Sequence, residues 1–381
     1  MNSSFLRLVA LCFCCSNSHA DGLLSVNNPA RNGQELSAYA NFDVFEGHDH
    51  SLLNGSWPAA LSTRDNNINI LFAKAESGVQ WNGFRLGAIR RFDTMQQSNR
   101  DASDLVQQYD TNIGYQVNRT YTPDYKIIGF DLSGFKIGKS LATNINKEWN
   151  IRSGISVSFL KGNRLKIENI QGQVVAINSN EYTGNALQNN SSSSINTNDD
   201  NEFIAPYHQQ LPFSGNGYTF DLGFILEQTS TGARAEFAIA DFASAVNWKY
   251  IPNNLSLLGT ESTYVDANGY INFNPAAYRA SSYRNINQTL DPKIRLAATY
   301  PWRAWQLQAA ADHTQGTTFF QTGVGYRIAP DWLLQADYDW HFGTLGLGIK
   351  HPNFDLMLRS DSTQWDAAKA FGLQAKLHFP L

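Results

Sequence analysis

The chain has 381 residues, of which 42% are hydrophobic, 13% aromatic and 16% charged, and its formal net charge is −4. This content of hydrophobic and aromatic residues excludes a disordered chain, and the slightly acidic balance offers no basic surface for nucleic acid. Beyond residue 20, no run approaches the ~20 apolar residues that a membrane-spanning helix needs. If the chain crosses a membrane, it must therefore do so with strands.

The first element in the chain, residues 1–20, is predicted to be a signal peptide. Arg7 supplies the positive charge, residues 8–15 form a short apolar core, and Ser18-His19-Ala20 is typical of a cleavage site. The mature chain is then expected to begin at Asp21. All three cysteines lie before residue 16, so we expect neither disulfides nor thiol chemistry in the mature protein.

From about residue 35 to the C terminus, apolar and polar residues alternate with a period of two. Because successive side chains of a strand point to opposite faces, this alternation predicts strands with one apolar and one polar face. In one example, Trp332, Leu334, Ala336, Tyr338 and Trp340 alternate with polar residues. Segments of about ten residues with this pattern are typical of transmembrane β-strands.

Sixteen strands are predicted in chain order. They span residues 35–45, 66–75, 79–92, 111–121, 125–137, 147–161, 164–178, 217–227, 233–248, 293–300, 303–312, 317–328, 332–340, 343–350, 353–360 and 371–379. The predicted fold class is all-β, a transmembrane antiparallel β-barrel of 14–16 strands formed by residues 35–381. Residues 21–34 form a separate N-terminal segment and are a candidate plug for the barrel.

The connections between these strands alternate in length. The predicted short turns are residues 76–78, 122–124, 162–163, 228–232, 301–302, 329–331 and 351–352, whereas every long connection, including 179–216 and 249–292, falls in the other set. Short turns on one side and long loops on the other are typical of outer-membrane barrels.

The main alternative fold is a soluble β-sandwich, which also alternates. Aromatic residues such as Tyr300, Trp305 and Phe379 stand at the ends of apolar segments, where a membrane interface favours them. This placement favours the barrel. We expect a location in the bacterial outer membrane, with the membrane's lipid and its assembly machinery as partners.

Motifs that would indicate catalysis, metal or a cofactor are weak. His48-Asp49-His50 contains metal-capable side chains but lies in a predicted loop with no further ligands nearby. Gly323-Val324-Gly325 and Gly346-Leu347-Gly348 lie within strands, where close packing is a better explanation than phosphate binding. No Gly-x-Ser-x-Gly nucleophile motif is present. We therefore predict no enzyme activity, no metal and no cofactor.

The polar face of the C-terminal strands carries charged residues, and in a barrel this face points into the lumen. The candidate lumen-facing residues are Arg295, Asp312, Asp337, Asp339, Asp355, Arg359, Lys376 and His378. They could form a salt-bridge network that fills the interior, or a charged lining that selects solutes. Their nearly equal numbers of acids and bases argue against a simple cation or anion pore.

Residues from about 215 to 379 resemble the C-terminal part of the FadL-like outer-membrane barrels, a superfamily of fatty-acid and hydrocarbon transporters with relatives associated with conjugation or secretion. The resemblance is carried by residues 217–223, 238–242, 246–248, 292–300, 323–326 and 346–348 and by the terminal strand. That strand also resembles the C-terminal assembly signal of outer-membrane proteins through Phe371, Leu373, Leu377 and Phe379. The resemblance implies fourteen strands and an N-terminal plug, whose Asn-Pro-Ala segment is echoed by Asn28-Pro29-Ala30.

The leading functional hypothesis is a passive channel or transporter for small molecules, hydrophobic ones among them. The alternatives are a non-transporting barrel that acts in adhesion, assembly or secretion and conjugation through loops 179–216 and 249–292, and an embedded lipid-modifying enzyme. The fate of residues 21–34 would discriminate between them. An open polar lumen would favour a general pore, whereas a dry, plugged lumen would favour the non-transporting barrel.

Overall fold

The computed structural model describes residues 23–24, 26–49, 51–56, 65–111, 116–177, 182–195, 211–259, 262–265, 271–274 and 278–381. The predicted signal peptide and His50 lie outside the described residues. Among the described residues, no helix is long and apolar enough to cross a lipid bilayer.

The described residues form strands, one α-helix and two single-turn 3-10 helices, Pro29–Arg31 and Trp365–Ala367. In chain order the strands and the α-helix are β1 (Ser37–His48), β2 (Asn66–Trp81), β3 (Phe84–Asn99), α1 (Arg100–Thr111), β4 (Thr120–Tyr121), β5 (Asp124–Asn144), β6 (Trp149–Ala176), β7 (Tyr182–Ser192), β8 (Ser214–Gln228), β9 (Arg234–Gly259), β10 (Ser262–Val265), β11 (Ile271–Asn274), β12 (Tyr278–Gln288), β13 (Lys293–Trp302), β14 (Trp305–Thr314), β15 (Thr317–Ala329), β16 (Trp332–Asp339), β17 (Leu345–His351), β18 (Phe354–Ser360) and β19 (Ala370–Pro380).

Fourteen of these strands close into an antiparallel barrel. Each strand pairs with its neighbour in the order β1, β2, β3, β5, β6, β8, β9 and then β13 to β19. The barrel closes because β19 pairs with β1 from Ser37↔Pro380 to Gly47↔Ala370. Closure leaves no unpaired sheet edge, which a strand-built protein needs in order to cross a bilayer. The prediction of an all-β barrel is confirmed.

The strand list was wrong at two places, and these account for the difference between sixteen and fourteen. Among the described residues of predicted strand 111–121, Thr111 ends α1 (Arg100–Thr111) and only Thr120–Tyr121 form a strand. Predicted strands 147–161 and 164–178 are one continuous strand, β6, in which Asn163 is a β-bulge opposite the Asp131–Leu132 step of β5.

Short and long connections lie at opposite ends of the barrel, as the sequence predicts, but some of the predicted turns were misplaced. Short turns at 82–83, 145–148 and 303–304 join strands at the end where β1 begins and β19 finishes, and every long connection lies at the other end. The predicted turns 122–124 and 162–163 were wrong for the same two reasons as the strand list. The predicted turn 76–78 was also wrong, because these residues lie within β2 and the chain turns at 82–83. The two ends are called the turn end and the loop end below.

Three of the remaining strands, β4, β7 and β12, extend the wall at the loop end, and β4 pairs with the outer part of β6. β7 pairs with the outer parts of β6 and β9, and β12 pairs with the outer part of β9. The predicted loops 179–216 and 249–292 therefore contain much regular strand within their described residues. α1 follows β3 directly and packs against β2, β3, β4 and β5.

The outward face carries a band of exposed apolar side chains. Leu296, Leu347 and Leu358 are between 50% and 60% exposed. Tryptophans flank the band on both sides, with Trp302 (55% exposed) at the turn end and Trp340 (63%) at the loop end. A soluble surface rarely exposes so large an apolar area, whereas an apolar band between aromatic girdles is typical of a lipid-facing barrel wall.

Candidate functional site

The N-terminal segment lies inside the barrel. Leu23, Leu24 and Val26 are each 1% exposed and pack with lumen-facing side chains of β1, β2, β3, β9 and β15. Contacts with strands on opposite sides of the wall are possible only from within the lumen. Pro29 also lies so close to β6 that Gly154 has no room for a side chain there.

Polar contacts hold this segment to the wall. Asn27 donates to Glu76 at 3.0 Å, and Asn28 donates to Glu236 at 3.3 Å. Arg31 donates to the same Glu236 carboxylate through Nε and Nη2, at 2.9 and 2.7 Å. Because these partners lie on β2 and β9, the segment bridges distant parts of the wall. The prediction that residues 21–34 plug the barrel is developed under the proposed function.

Four of the predicted lumen-facing residues form two ion pairs on the lumen side of the wall. Arg295 Nη1 lies 2.9 Å from both carboxylate oxygens of Asp312. Arg359 donates to Asp337 through Nε at 3.1 Å and Nη2 at 2.7 Å. A Cβ on Gly346 would come within 2.1 Å of an Asp337 oxygen, so this glycine makes room for the second pair.

The other four predicted residues each have their own hydrogen-bond or register partners. Asp339 accepts hydrogen bonds from the backbone N–H groups of His341 and Phe342, at 3.2 and 2.8 Å. Asp355 and Lys376 are register partners on β18 and β19 and are 1% and 3% exposed. His378 lies 3.0 Å from the Gln80 amide nitrogen. Arg359 nevertheless has Asp312, Asp337 and Asp355 nearby, and Asp339 also lies near it. Most of the eight residues therefore form one charged cluster on the wall, whereas His378 lies apart beside Gln80.

The residues of the predicted assembly signal lie on the other face of the terminal strand. Phe371, Leu373, Leu377 and Phe379 are half-buried and alternate with buried Gln374 and Lys376. Their role in assembly stays a prediction.

Sequence reasoning missed a denser charge network in the N-terminal half. Glu76 accepts from Arg85 at 2.9 Å and from the Tyr39 hydroxyl at 3.0 Å, and Lys136 Nζ lies 4.0 Å from it. Lys136 also donates to Asp221 at 2.6 Å. Alternating charged residues on β2 and β5 are the sequence signal that indicates this network.

A β-bulge adds a second missed cluster. Asp241 has a positive φ of 60°, which non-glycine residues seldom adopt, and its N–H donates to Asp221 at 3.1 Å. Its carboxylate accepts from Arg91 at 2.8 Å. Arg91 also bonds Asp93, which accepts from Lys293 at 2.8 Å. Acids and bases alternate here, so the described lumen is a cross-linked interior with nearly balanced charge.

Apolar side chains fill the rest of the lumen. One cluster surrounds Leu23 and Leu24, and a second joins Leu132, Leu160 and Trp248 with neighbours from β3, β5, β6, β9 and the segment after β12. The cavities found there are small, about 80 and 40 Å³. Around these two clusters the described lumen is therefore closely packed.

A much larger cavity, of about 1050 Å³, lies on the other side of the wall. Glu46, Leu71 and Thr94 line it and are register partners across β1, β2 and β3. Their chain neighbours Phe45 and Phe72 are buried in the lumen cluster. Because alternate residues face opposite sides, this cavity is outside the lumen, near the loop ends of the strands. It is called the outer cavity below.

The outer cavity has an apolar lining. Leu71, Phe92 and Ile170 line it from the strands, and Leu105 and Val106 line it from α1. Polar groups at its margin bond one another. His48 lies 2.9 Å from the Ser51 hydroxyl and 3.3 Å from Glu46, while Glu168 accepts from Gln188 at 2.6 Å. The cavity therefore offers chiefly apolar contacts to a ligand.

α1 is fixed in place over the strands by polar contacts at its start. Asn99 caps the helix by accepting from the Ala102 N–H at 3.0 Å, and Ser103 bonds Asn67 at 2.9 Å. Arg119, in the segment after the helix, lies 2.5 Å from Asp101 and 3.0 Å from Asp104.

The two acids of α1 respond differently to this environment. Burial raises the pKa of the Asp104 carboxyl, despite the nearby Arg119. At Asp101, burial acts in the same direction, but hydrogen bonds from Thr122 and Arg119 overcome it and lower the pKa. Asp101 is therefore the acid that the folded loop holds in its charged form.

Metal chemistry has no support in the described part of the chain, where no three His, Cys, Asp or Glu residues converge on a metal-sized site. His48 and Asp49 of the His-Asp-His motif make local contacts, Asp49 with the Ile68 N–H at 2.9 Å.

No protein-family profile matches the chain, and no curated protein matches it in sequence. Solved structures do match in shape. A TodX monoaromatic hydrocarbon channel mutant covers 97% of this chain and 96% of its own, at 11% identity and a TM-score of 0.47. The Pseudomonas putida toluene transporter TodX covers 96% and 94%, at 12% identity and 0.38. A Pseudomonas aeruginosa FadL homologue covers 95% and 96%, at 11% identity and 0.23. At these identities and TM-scores the likeness assigns neither a family nor a function to this chain.

Proposed function

We propose that the chain is an outer-membrane transporter that captures a small hydrophobic molecule in the outer cavity and admits it across the membrane without a cofactor. The observation that supports this proposal is the outer cavity itself. Its apolar lining lies at the loop end of the barrel, beside the exposed apolar band, where a hydrophobic solute can enter from the lipid or from outside.

The size and chemistry of the outer cavity fit such a ligand. Ligand sites commonly have volumes of about 300–1,000 Å³ with mostly apolar walls. At roughly 25 cal/mol per Å² of apolar surface, a ligand that buries about 150 Å² would gain roughly 4 kcal/mol from dehydration. A hydrophilic solute would gain no comparable free energy, because the polar groups at the margin already bond one another.

Because the lumen is packed, transport through it in this proposal requires the N-terminal segment to move. Lumen cavities of about 80 and 40 Å³ are too small for the proposed cargo. Residues 23–24 and 26–31 lie in the interior between β2 and β9 and act as the plug in this proposal. A general pore for hydrophilic solutes is not supported, because the plug and the ion pairs lie within the described lumen.

The test uses Val106→Glu, which places a charge in the lining of the outer cavity. Val106 is 44% exposed on α1, so the substitution should not disturb folding. Val117→Glu is the matched control, because Val117 is 52% exposed in the nearby segment and does not line the cavity. Binding of a naphthalene-type fluorophore would be measured with protein in lipid nanodiscs, and its uptake in cells that carry the protein in their outer membrane.

We expect Val106→Glu to weaken fluorophore binding about tenfold and to slow uptake in parallel, with the control unchanged. If Val106→Glu weakens binding but cells take up the fluorophore equally fast with and without the protein, the chain binds the fluorophore without transporting it. The non-transporting barrel would then replace the proposal. Equal binding by both variants and the unmodified protein would contradict a role for the outer cavity altogether.

A further inference from the structure

A row of cationic side chains crosses the outward face of three neighbouring strands. Arg90 on β3 is the register partner of Ser133 on β5, and Ser133 is the register partner of Lys161 on β6. Paired residues share a face, so Arg90 and Lys161 point outward two strand spacings apart, roughly 10 Å between their Cα atoms. Arg164 lies one row nearer the loop end, opposite Asp131.

This row marks the upper limit of the exposed apolar band. The next row toward the turn end contains Phe135, Phe159 and Tyr218, which are register neighbours and are 66%, 56% and 44% exposed. On β6 the outward side chain changes from Phe159 to Lys161 within two residues, and Arg90 on β3 lies in the same row as Lys161. Such a change is expected where a lipid-facing wall leaves the hydrocarbon and meets the headgroups at the loop end.

Asp131 fixes the orientation of Arg90 without neutralising the row. The Asp131 side chain is 5% exposed and accepts from Arg90 Nε at 3.3 Å, from Arg90 Nη2 at 2.9 Å and from the bulge residue Asn163 at 3.2 Å. Arg90 remains 67% exposed, and its Nη1 makes no bond to the described residues. Lys161 and Arg164 are also exposed. The row therefore contains three bases and one acid, and Lys161 and Arg164 form no ion pair with the described residues.

We propose that Arg90, Lys161 and Arg164 bind the phosphate of an anionic lipid headgroup in the outer leaflet. Side chains of arginine and lysine can span the gap between these strands and converge on one phosphate, which charge-assisted hydrogen bonds would hold. The apolar row immediately below would contact the acyl chains of the same lipid. The site depends on the barrel spanning a membrane but not on any transported cargo.

The test compares Lys161→Gln/Arg164→Gln with Lys147→Gln/Arg303→Gln. Both double variants remove one lysine and one arginine, and the control pair lies in the turns at the opposite end of the barrel. Arg90 is left intact because its loss would strand the buried Asp131. Retention of diphosphoryl lipid A would be measured by native mass spectrometry of the detergent-solubilised protein, beside phosphatidylcholine and inorganic phosphate. Resistance of the barrel to sodium dodecyl sulfate before heating would verify folding.

We expect the Lys161/Arg164 variant to retain lipid A about tenfold more weakly than the unmodified protein and the control, with phosphatidylcholine retained equally by all three. The charge-preserving variant Lys161→Arg/Arg164→Lys should keep most of the binding. Equal retention by all variants would overturn the proposal. Full competition by millimolar inorganic phosphate would also overturn it, because the site would then be one for a free anion.

Discussion

The two halves of the barrel wall differ in strand length and in what they carry. From β13 to β19 the strands have 7 to 13 residues, close to what a bilayer crossing needs, and most are joined by tight turns. In the other half, β5, β6 and β9 have 21, 28 and 26 residues and contain β-bulges. The outer cavity and the cationic row both lie in the long-stranded half. Strands that are longer than a bilayer crossing requires therefore provide the additional wall surface on which both features lie.

The largest expected effect concerns the buried charges of the long-stranded half. Glu76 has a fully buried carboxylate that accepts from Asn27, Tyr39 and Arg85. Glu76→Ala would leave Arg85 and Lys136 without this partner, and breaking a buried pair in this way costs about 3–5 kcal/mol. Urea unfolding from lipid vesicles, followed by tryptophan fluorescence, would measure the loss.

Asp337→Ala is the matched change in the short-stranded half. Its partner Arg359 keeps Asp312 and Asp355 nearby, so we expect a smaller loss of about 2 kcal/mol, the contribution of hydrogen bonds to one charged group. Equal losses for the two variants would remove the distinction between a network joined to the N-terminal segment and a local pair.

A second prediction concerns the close packing of the N-terminal segment against β6. A Cβ at Gly154 would lie 2.3 Å from the backbone carbonyl carbon of Pro29, so Gly154→Ala should displace residues 23–24 and 26–31 at a cost of roughly 1–3 kcal/mol. Arg31, now 15% exposed and paired with Glu236, should become a site for limited trypsin cleavage. Mass analysis of the N terminus would detect the cut.

Gly325→Ala, in the short-stranded half, is the control for this prediction. Its added Cβ would meet only the mobile end of Leu333, at 3.0 Å, and we expect no new cleavage. Cleavage at Arg31 in the unmodified protein, or none in Gly154→Ala, would show that the segment is not held as described.

The smallest expected effect concerns α1. The pKa of Asp101 is lowered because hydrogen bonds from Thr122 and Arg119 outweigh its burial. A depressed folded-state pKa stabilises the loop above the ordinary aspartate range, and this contribution is lost as pH falls through the lowered value. Asp101→Asn should make amides of residues 116–122 exchange about fivefold faster at neutral pH, equal to roughly 1 kcal/mol.

Hydrogen exchange with mass spectrometry provides the readout, with protection corrected for intrinsic rates. The unmodified protein should lose protection in this segment on acidification, whereas Asp101→Asn should lack that step. Asp104, whose pKa is raised by burial, acts in the opposite sense and stays present in both proteins. A pH response that is the same in both would assign the stabilisation to another group.

The short-stranded half could be predicted closely from sequence. The predicted strands 332–340 and 353–360 correspond to β16 and β18, because each face of these strands has one environment and the alternation is uninterrupted. In the long-stranded half, the strand prediction was wrong at the β-bulge of β6. The sequence Lys161-Gly162-Asn163-Arg164 predicts a turn, but in the structure it contains the β-bulge of one continuous strand.

The outer cavity could not be predicted from a single sequence. It depends on how α1 lies against the outward faces of strands that are distant along the chain, with Val106 beside Leu71 and Ile170. The interpretation of the lumen charges as a filling salt-bridge network agrees with the pairs Arg295–Asp312 and Arg359–Asp337. By the criterion drawn from the sequence, a packed lumen that contains the N-terminal segment favours the non-transporting barrel. The proposal of a transporter depends instead on the outer cavity, which lies outside the lumen.

The position of a bound apolar ligand tests the central claim most directly. A structure of the protein in lipid, determined with a brominated naphthalene, would locate the ligand by the scattering of its bromine. We expect bromine density between α1 and the outward face of β2 and β3, beside Leu71 and Val106. Bromine density within the lumen beside Leu23, or none in the outer cavity at saturating ligand, would contradict the assignment of the outer cavity as the capture site.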